Sequence, residues 1–221
     1  MHDHDHHDHH HDDDDDHTVV APHAPPAKDE TIHSYYQILG LALKELLIEK
    51  GVVSADDMRK AIELRDSITP ANGARVVAKA WTDPDYKQRL LADGVAATRE
   101  LGLDPGATNL VVVENTPHVH NVIVCTLCSC YPRNILGLPP SWYKSREYRA
   151  RVVREPRAVL AEFGTVLPET VEVRVHDSTA DMRYLVLPLR PEGTEGLPEA
   201  ELATLVTRDS MIGVTDVRTH G

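Results

Sequence analysis

The chain has 221 residues, with 35 acidic and 23 basic side chains and a formal net charge of −12 at pH 7. Hydrophobic residues make up 41% of it, which is enough for the core of one domain that carries an extension. No apolar run approaches the roughly 18 residues that a transmembrane helix needs, so the composition excludes a membrane protein.

Much of the acidity lies in the first 17 residues, MHDHDHHDHHHDDDDDH, which hold eight Asp and eight of the fourteen His. Without these residues the chain has 23 basic and 27 acidic side chains, and this slight acidic excess argues against a nucleic-acid-binding protein. The start has neither the basic nor the apolar region of a signal peptide, so we expect a cytoplasmic protein. Residues 1–32 are predicted to be a disordered tail and linker, which either collects divalent metal ions or has no role in the native protein.

The next seventy residues predict a helical arm over residues 33–102. Apolar periodicity and capping residues indicate four helices, over about 33–50, 55–68, 74–81 and 84–101. Gly51 is expected to close the first helix and Ser54 to cap the second. Thr69 and Pro70 are expected to end the second helix, and the segment Thr82-Asp83-Pro84 to supply the N-cap and the first-turn proline of the last one. Because the first helix is apolar on most sides, we expect the arm to wrap a partner chain.

The pattern changes after Pro105 to alternating strands and helices. β-branched runs and period-two alternation predict strands at 110–113, 119–124, 171–175 and 183–189. Helices are predicted near 145–153, 156–163 and 198–208. The predicted fold class is therefore α+β, with the N-terminal helical arm followed by a layered α/β domain over residues 103–221.

All three cysteines lie within six residues, in the order Cys125-Thr126-Leu127-Cys128-Ser129-Cys130. A Cys-x-x-Cys pair brings two sulfurs within reach of one metal ion, and a third sulfur two residues later can join them. The segment follows the apolar run 122–124 and precedes Tyr131-Pro132, which cannot continue strand pairing. We call residues 125–130 the cysteine loop and expect it at the end of a buried strand.

Three chemistries compete for the cysteine loop. A disulfide between Cys125 and Cys128 would make a redox switch. A structural zinc site would need a fourth ligand, for which His118 and His120 are the nearest imidazoles. The third and favoured interpretation surrounds a trivalent ion with three thiolates and the backbone nitrogens of Ser129 and Cys130, and leaves a sixth position open for water or substrate.

The cysteine loop, with Val124 before it and Tyr131 after it, resembles the metal-binding loop of the nitrile hydratase α subunit. The resemblance spans roughly residues 40–215 and includes five further segments. They lie at 78–84 (AKAWTDP), 113–116 (VENT), 136–140 (LGLPP), 151–157 (RVVREPR) and 205–214 (LVTRDSMIGV).

The resemblance implies a low-spin Co(III) or Fe(III) ion held by the sulfurs of Cys125, Cys128 and Cys130 and by the backbone nitrogens of Ser129 and Cys130. Thr126 and Tyr131 match the cobalt members, so we expect Co(III) rather than Fe(III). Cys128 is expected as sulfinate and Cys130 as sulfenate, and these two are the expected catalytic residues.

The same resemblance implies the reaction and the partners. We predict the α subunit of a cobalt nitrile hydratase, which hydrates small nitriles to amides. A β subunit of the same enzyme would complete a heteromer and donate two Arg side chains to the oxidised cysteines. An activator protein that loads the metal is a further candidate partner.

The sequence departs from this family at two positions. Nitrile hydratases commonly carry Trp where Arg133 stands, and no Gln is present near Gly106. Arg133 is either a surface residue or a cation in the substrate pocket that favours an anionic substrate. The γ subunit of thiocyanate hydrolase shares the metal loop and acts on an anion, so it is the alternative assignment. A non-enzymatic metal-delivery protein is the remaining alternative assignment.

Overall fold

The computed structural model describes residues 34–219, so the predicted tail over residues 1–32 lies outside the described residues. Within them, five helices precede the first strand: α1 (Tyr35–Glu49), α2 (Ala55–Asp66), α3 (Pro70–Thr82), α4 (Pro84–Ala92) and α5 (Gly94–Glu100). None of the helices in this part of the chain combines the length and the apolar character that crossing a bilayer requires.

The first two helices begin and end as their capping residues dictate. The Ser34 hydroxyl accepts a hydrogen bond from the Gln37 amide, and the Gln37 side chain accepts one from the Ser34 amide, which completes a capping box. Ser54 caps α2, and Gly51 takes a left-handed φ of 66° just after α1, as predicted. Neither helix contains a buried residue. The large apolar side chains exposed on α1 are Ile38, Leu39, Leu41, Leu43 and Leu46.

Two predicted boundaries in this region are wrong. Pro70 starts α3 rather than ending α2, because proline lacks the N–H that a first helical turn leaves unbonded and its fixed φ suits that position. The single helix predicted over 84–101 is divided at Asp93, whose carboxylate accepts a hydrogen bond from the Ala96 amide and caps α5. The predicted capping segment Thr82-Asp83-Pro84 is confirmed, with Asp83 as the N-cap of α4.

In the described part of the chain, four strands form two parallel pairs. β1 (Asn109–Glu114) pairs with β4 (Met182–Leu187), and β2 (Val119–Val124) pairs with β3 (Glu172–Asp177). Parallel pairing requires crossover connections, which the intervening segments supply. The remaining helices are α6 (Arg133–Leu136), a 3₁₀ helix (Trp142–Lys144), α7 (Arg146–Arg151), α8 (Pro156–Glu162), α9 (Glu199–Leu205) and α10 (Arg208–Ile212).

The core joins both strand pairs to helices α3–α5 and α10. Val122, Ile123 and Val124 of β2 are completely buried, as are Val76 and Val77 of α3. The predicted mixed α and β architecture is therefore confirmed. The division into tail, arm and catalytic domain stays a prediction, and within the predicted arm α1 and α2 lie outside the core to which α3–α5 contribute.

Candidate metal centre

The cysteine loop starts where β2 ends, as expected. Cys125 is buried, Cys130 is half-buried and Cys128 is exposed, and all three are free thiols. The Sγ atom of Cys128 lies 3.5 Å from that of Cys125 and 3.3 Å from that of Cys130. All three sulfurs lie within 4.8 Å of one another. The alternative of a Cys125–Cys128 disulfide is not realised in this structure.

The electrostatics of the loop favour a cation among the sulfurs. Hydrogen bonds with the sulfurs of Cys130 and Cys125, and then with the Ser129 backbone amide, lower the pKa of Cys128 to about 7. Burial first, and then the neighbouring sulfurs, raise the pKa of Cys130 to about 12. One thiolate therefore forms near neutral pH, and a positive ion among the sulfurs would favour the formation of further ones.

The donor set fits a transition metal. Thiolate sulfur is a soft ligand that selects metals such as zinc, cobalt and iron over magnesium or calcium. The backbone amides of Ser129 and Cys130 both help to lower the pKa of Cys128, and both belong to the cysteine loop. Neither histidine considered for a zinc site joins them: His118 is exposed, and Nε2 of His120 lies 2.7 Å from the Gly213 carbonyl oxygen. In the described part of the chain, the cysteines alone form such a metal-ligating group.

Side chains from distant segments hold the start of the loop. The Asp177 carboxylate accepts hydrogen bonds from the Thr126 amide at 2.9 Å and from the Thr126 hydroxyl at 2.6 Å. The Arg149 guanidinium donates to the Thr126 carbonyl at 3.3 Å. Neither residue was predicted from the sequence, although the carboxylate of Asp177, two residues after the alternating stretch 171–175, is a signal worth following.

Two buried tyrosines hydrogen-bond to the main chain, one just before the cysteine loop and one at its last residue. The Tyr148 hydroxyl donates to the Ile123 carbonyl at 2.7 Å, and the Tyr143 hydroxyl donates to the Cys130 carbonyl at 2.9 Å. Neither tyrosine was predicted from the sequence, because nothing in their local pattern differs from that of ordinary core tyrosines.

Arg133 is the first residue of α6 and is exposed. It lines a cavity of about 140 Å³ whose wall also includes Gly106, Tyr131 and Arg183. Arg183 donates to the backbone carbonyls of Ala180 and Met182, and its charge opposes the rise that burial causes in the pKa of Cys130. The predicted pocket residue therefore lines a cavity that also borders Tyr131, the residue that follows the loop.

These features define a class: an α+β protein that offers three sulfurs to one metal ion in a loop at the end of a strand. The sequence model of the family described as nitrile hydratase, alpha chain, matches residues 34–215. That match covers most of the chain, so the chain belongs to the nitrile hydratase α-chain family, and the predicted resemblance is confirmed.

Individual relatives agree with this assignment. The nitrile hydratase subunit alpha of Rhodococcus sp. is 55% identical over 181 residues, covering 80% of this chain and 91% of that protein. The cobalt-containing nitrile hydratase subunit alpha of Pseudonocardia thermophila is 51% identical over 189 residues, covering 84% and 93%. The thiocyanate hydrolase subunit gamma of Thiobacillus thioparus is 48% identical over 193 residues, covering 82% and 79%.

Solved structures share the fold. A recombinant thiocyanate hydrolase with partially modified cobalt centres superposes with a TM-score of 0.78 at 47% identity, covering 85% of this chain and 92% of that one. A double mutant of the Fe-type nitrile hydratase from Comamonas testosteroni Ni1 gives the same TM-score at 49% identity and the same coverage. The same fold therefore occurs in a protein with cobalt centres and in an iron-type protein.

Proposed function

We propose that this chain is the catalytic, metal-binding α subunit of a cobalt-type nitrile hydratase. The observation that carries the proposal is the cluster of three free thiols, all within 4.8 Å of one another, in a chain of this family. The reaction adds one water molecule to a nitrile and gives the amide, so no redox partner is required.

The proposed ligands are the sulfurs of Cys125, Cys128 and Cys130 and the backbone nitrogens of Ser129 and Cys130. Cobalt is favoured over iron because relatives at about half identity are named cobalt-containing, and because Thr126 and Tyr131 match the cobalt pattern. A bound trivalent ion would supply Lewis-acid polarisation of the nitrile.

Within this chain, Cys128 and Cys130 carry the proposed chemistry. Oxidation by a peroxide, reduced to water, would convert the Cys128 thiolate to a sulfinate with two equivalents and the Cys130 thiolate to a sulfenate with one. The sulfenate oxygen of Cys130 would either attack the nitrile carbon or accept a proton from the water that attacks it. Half-burial of Cys130 would limit its contact with bulk water, whereas the exposed Cys128 faces outward.

A partner chain is part of the proposal. The exposed apolar side chains of α1 and the outward-facing Cys128 would be covered by a β subunit that donates arginines to the cysteine oxygens. An activator protein that loads the metal remains a candidate second partner. We also propose a cytoplasmic location, because three free thiols suit a reducing compartment.

The γ subunit of a thiocyanate hydrolase is the second candidate, and Arg133 is the observation that favours it. A guanidinium at the cavity beside Tyr131 would attract an anion that carries a C≡N group. A neutral nitrile has no net charge and would be attracted less strongly.

Product analysis of the cobalt-loaded heteromer tests both candidates. We expect amide from propionitrile and little ammonia from thiocyanate. Ammonia from thiocyanate without amide formation would support the second candidate. A complex that turns over neither substrate and loses its cobalt to EDTA within minutes would support a metal-delivery protein instead. The variant Cys130→Ser is expected to abolish amide formation.

A further inference from the structure

Tyr143 and Tyr148 hydrogen-bond to two carbonyl groups near the cysteine loop, one at its last residue and one shortly before it begins. Their hydroxyls donate to the carbonyls of Cys130 and Ile123, at 2.9 and 2.7 Å. The two ring centroids lie 5.7 Å apart, and the side chains are 0% and 5% exposed. The two contacts are therefore chemically alike, but only the contact of Tyr143 is made to the cysteine loop itself.

The two halves of the loop are restrained differently. Thr126 forms hydrogen bonds with both Asp177 and Arg149, and the Cys128 amide donates a hydrogen bond to the Cys125 sulfur at 3.3 Å. For residues 129–130, the hydrogen bond from Tyr143 is the one that the main chain forms with a side chain outside the loop, within the described part of the chain. The second half therefore has fewer hydrogen bonds to the rest of the fold than the first.

The surroundings of Tyr143 keep this hydroxyl in place. Its ring packs edge-on against Tyr131, with centroids 5.3 Å apart, and lies 6.1 Å from Trp142. A tyrosine hydroxyl keeps its proton at neutral pH, so it stays a donor. A ring without solvent exposure cannot swing away from the Cys130 carbonyl unless its neighbours move as well.

We infer that Tyr143 is a positioning residue of the metal site, whose hydroxyl fixes the peptide group after Cys130 and thereby the directions of the Cys130 sulfur and amide nitrogen. The inference rests on the proposed function, because the group it positions is part of the proposed cobalt site. Mutation of residues that orient metal ligands through hydrogen bonds typically lowers metal affinity by about 10- to 100-fold.

Two matched substitutions test the inference. Tyr143→Phe and Tyr148→Phe each remove one buried hydroxyl that donates to a carbonyl, and each leaves the ring in place. In the full-length chain produced with its partner subunit and cobalt, we expect both to lower the melting temperature. Only Tyr143→Phe should shift the sulfur-to-cobalt charge-transfer absorption and speed the loss of cobalt to EDTA, by about 10-fold.

The outcomes separate this inference from the proposed function. Equal spectra and equal cobalt retention in the two variants would overturn the inference and leave the proposed function intact. A wild-type complex with the expected spectrum but no nitrile turnover would overturn only the proposed function. A wild-type complex that does not bind cobalt would overturn both.

A second pair of variants covers the case in which Tyr143→Phe does not fold. Replacing Tyr143 or Tyr148 by 3-fluorotyrosine keeps the ring and hydroxyl while making the hydroxyl a stronger donor. We expect the charge-transfer band to shift for position 143 and not for position 148. Identical spectra for the two would overturn the inference.

Discussion

Asp177, the last residue of β3, accepts two hydrogen bonds from Thr126, one from the backbone amide and one from the hydroxyl. In the parallel register Asp177 lies opposite Val124, the last residue of β2, so both strands end beside the cysteine loop. The amide of Ser178 continues this pairing with a bond to the Val124 carbonyl at 2.7 Å. Strand pairing thus places a carboxylate where the first turn of the loop needs an acceptor.

Asp177→Asn should loosen the start of the loop without unfolding the chain. The change removes the negative charge and weakens two hydrogen bonds, which we expect to cost about 1–2 kcal/mol locally. Cobalt per chain should fall, while the melting temperature changes by a few degrees at most. Metal analysis and thermal unfolding check this, with Asp181→Asn as an exposed control. Equal cobalt content in both variants would contradict the role given to Asp177.

Gly213→Ala should destabilise the whole fold. Gly213 has φ +89°, and a Cβ atom there would lie 2.0 Å from the Asn121 carbonyl oxygen of β2. We expect a loss of roughly 3 kcal/mol, because both backbone strain and a clash with main chain arise. Gly193→Ala is the matched control, since φ is +78° and no atom lies within 4 Å, so only strain of about 1 kcal/mol applies. Urea unfolding that gives equal costs for the two would refute the packing argument.

Arg133→Trp should shift substrate preference towards neutral, apolar nitriles. If the cavity that Arg133 lines belongs to the substrate pocket, the change exchanges a charge for an apolar wall. We expect the ratio of kcat/KM for benzonitrile over cyanoacetate to rise about 10-fold. Arg146→Trp, an exposed site on α7, should leave the ratio unchanged. An unchanged ratio for Arg133→Trp would place this residue outside the pocket.

Removal of residues 1–17 should leave the turnover of fully loaded enzyme intact. The segment lies outside residues 34–215, which match the family, and its His and Asp side chains suit metal capture rather than nitrile chemistry. We expect slower loading when cobalt is scarce. Activity per bound cobalt separates the two effects, and a large fall in that quantity would show that the segment takes part in catalysis.

Local signals predicted much of the fold. Alternating and β-branched residues located all four strands to within about two residues, and the capping residues Ser54 and Gly51 bounded the first two helices. The errors lie where one residue suits two roles. A proline can either follow one helix or begin the next, and Pro70 begins α3, whereas Asp93 caps a helix inside a stretch whose apolar pattern runs on unbroken.

The cysteine loop was predictable because its donors lie within six residues, whereas its supports were not. Asp177 is 51 residues from Thr126 in sequence, and Tyr143 is 13 residues from Cys130. Their contacts arise from strand register and core packing, which local patterns do not encode. The family resemblance pointed to the metal ligands but not to the side chains that hold the loop.

The central claim is that one hexapeptide holds one trivalent metal ion through three sulfurs and two main-chain nitrogens. The most direct test is mass spectrometry of the peptide that spans residues 125–131, with metal analysis of the same sample. The account predicts about one cobalt per chain, two added oxygens on Cys128 and one on Cys130. A disulfide, unmodified thiols without metal, or zinc in place of cobalt would contradict it.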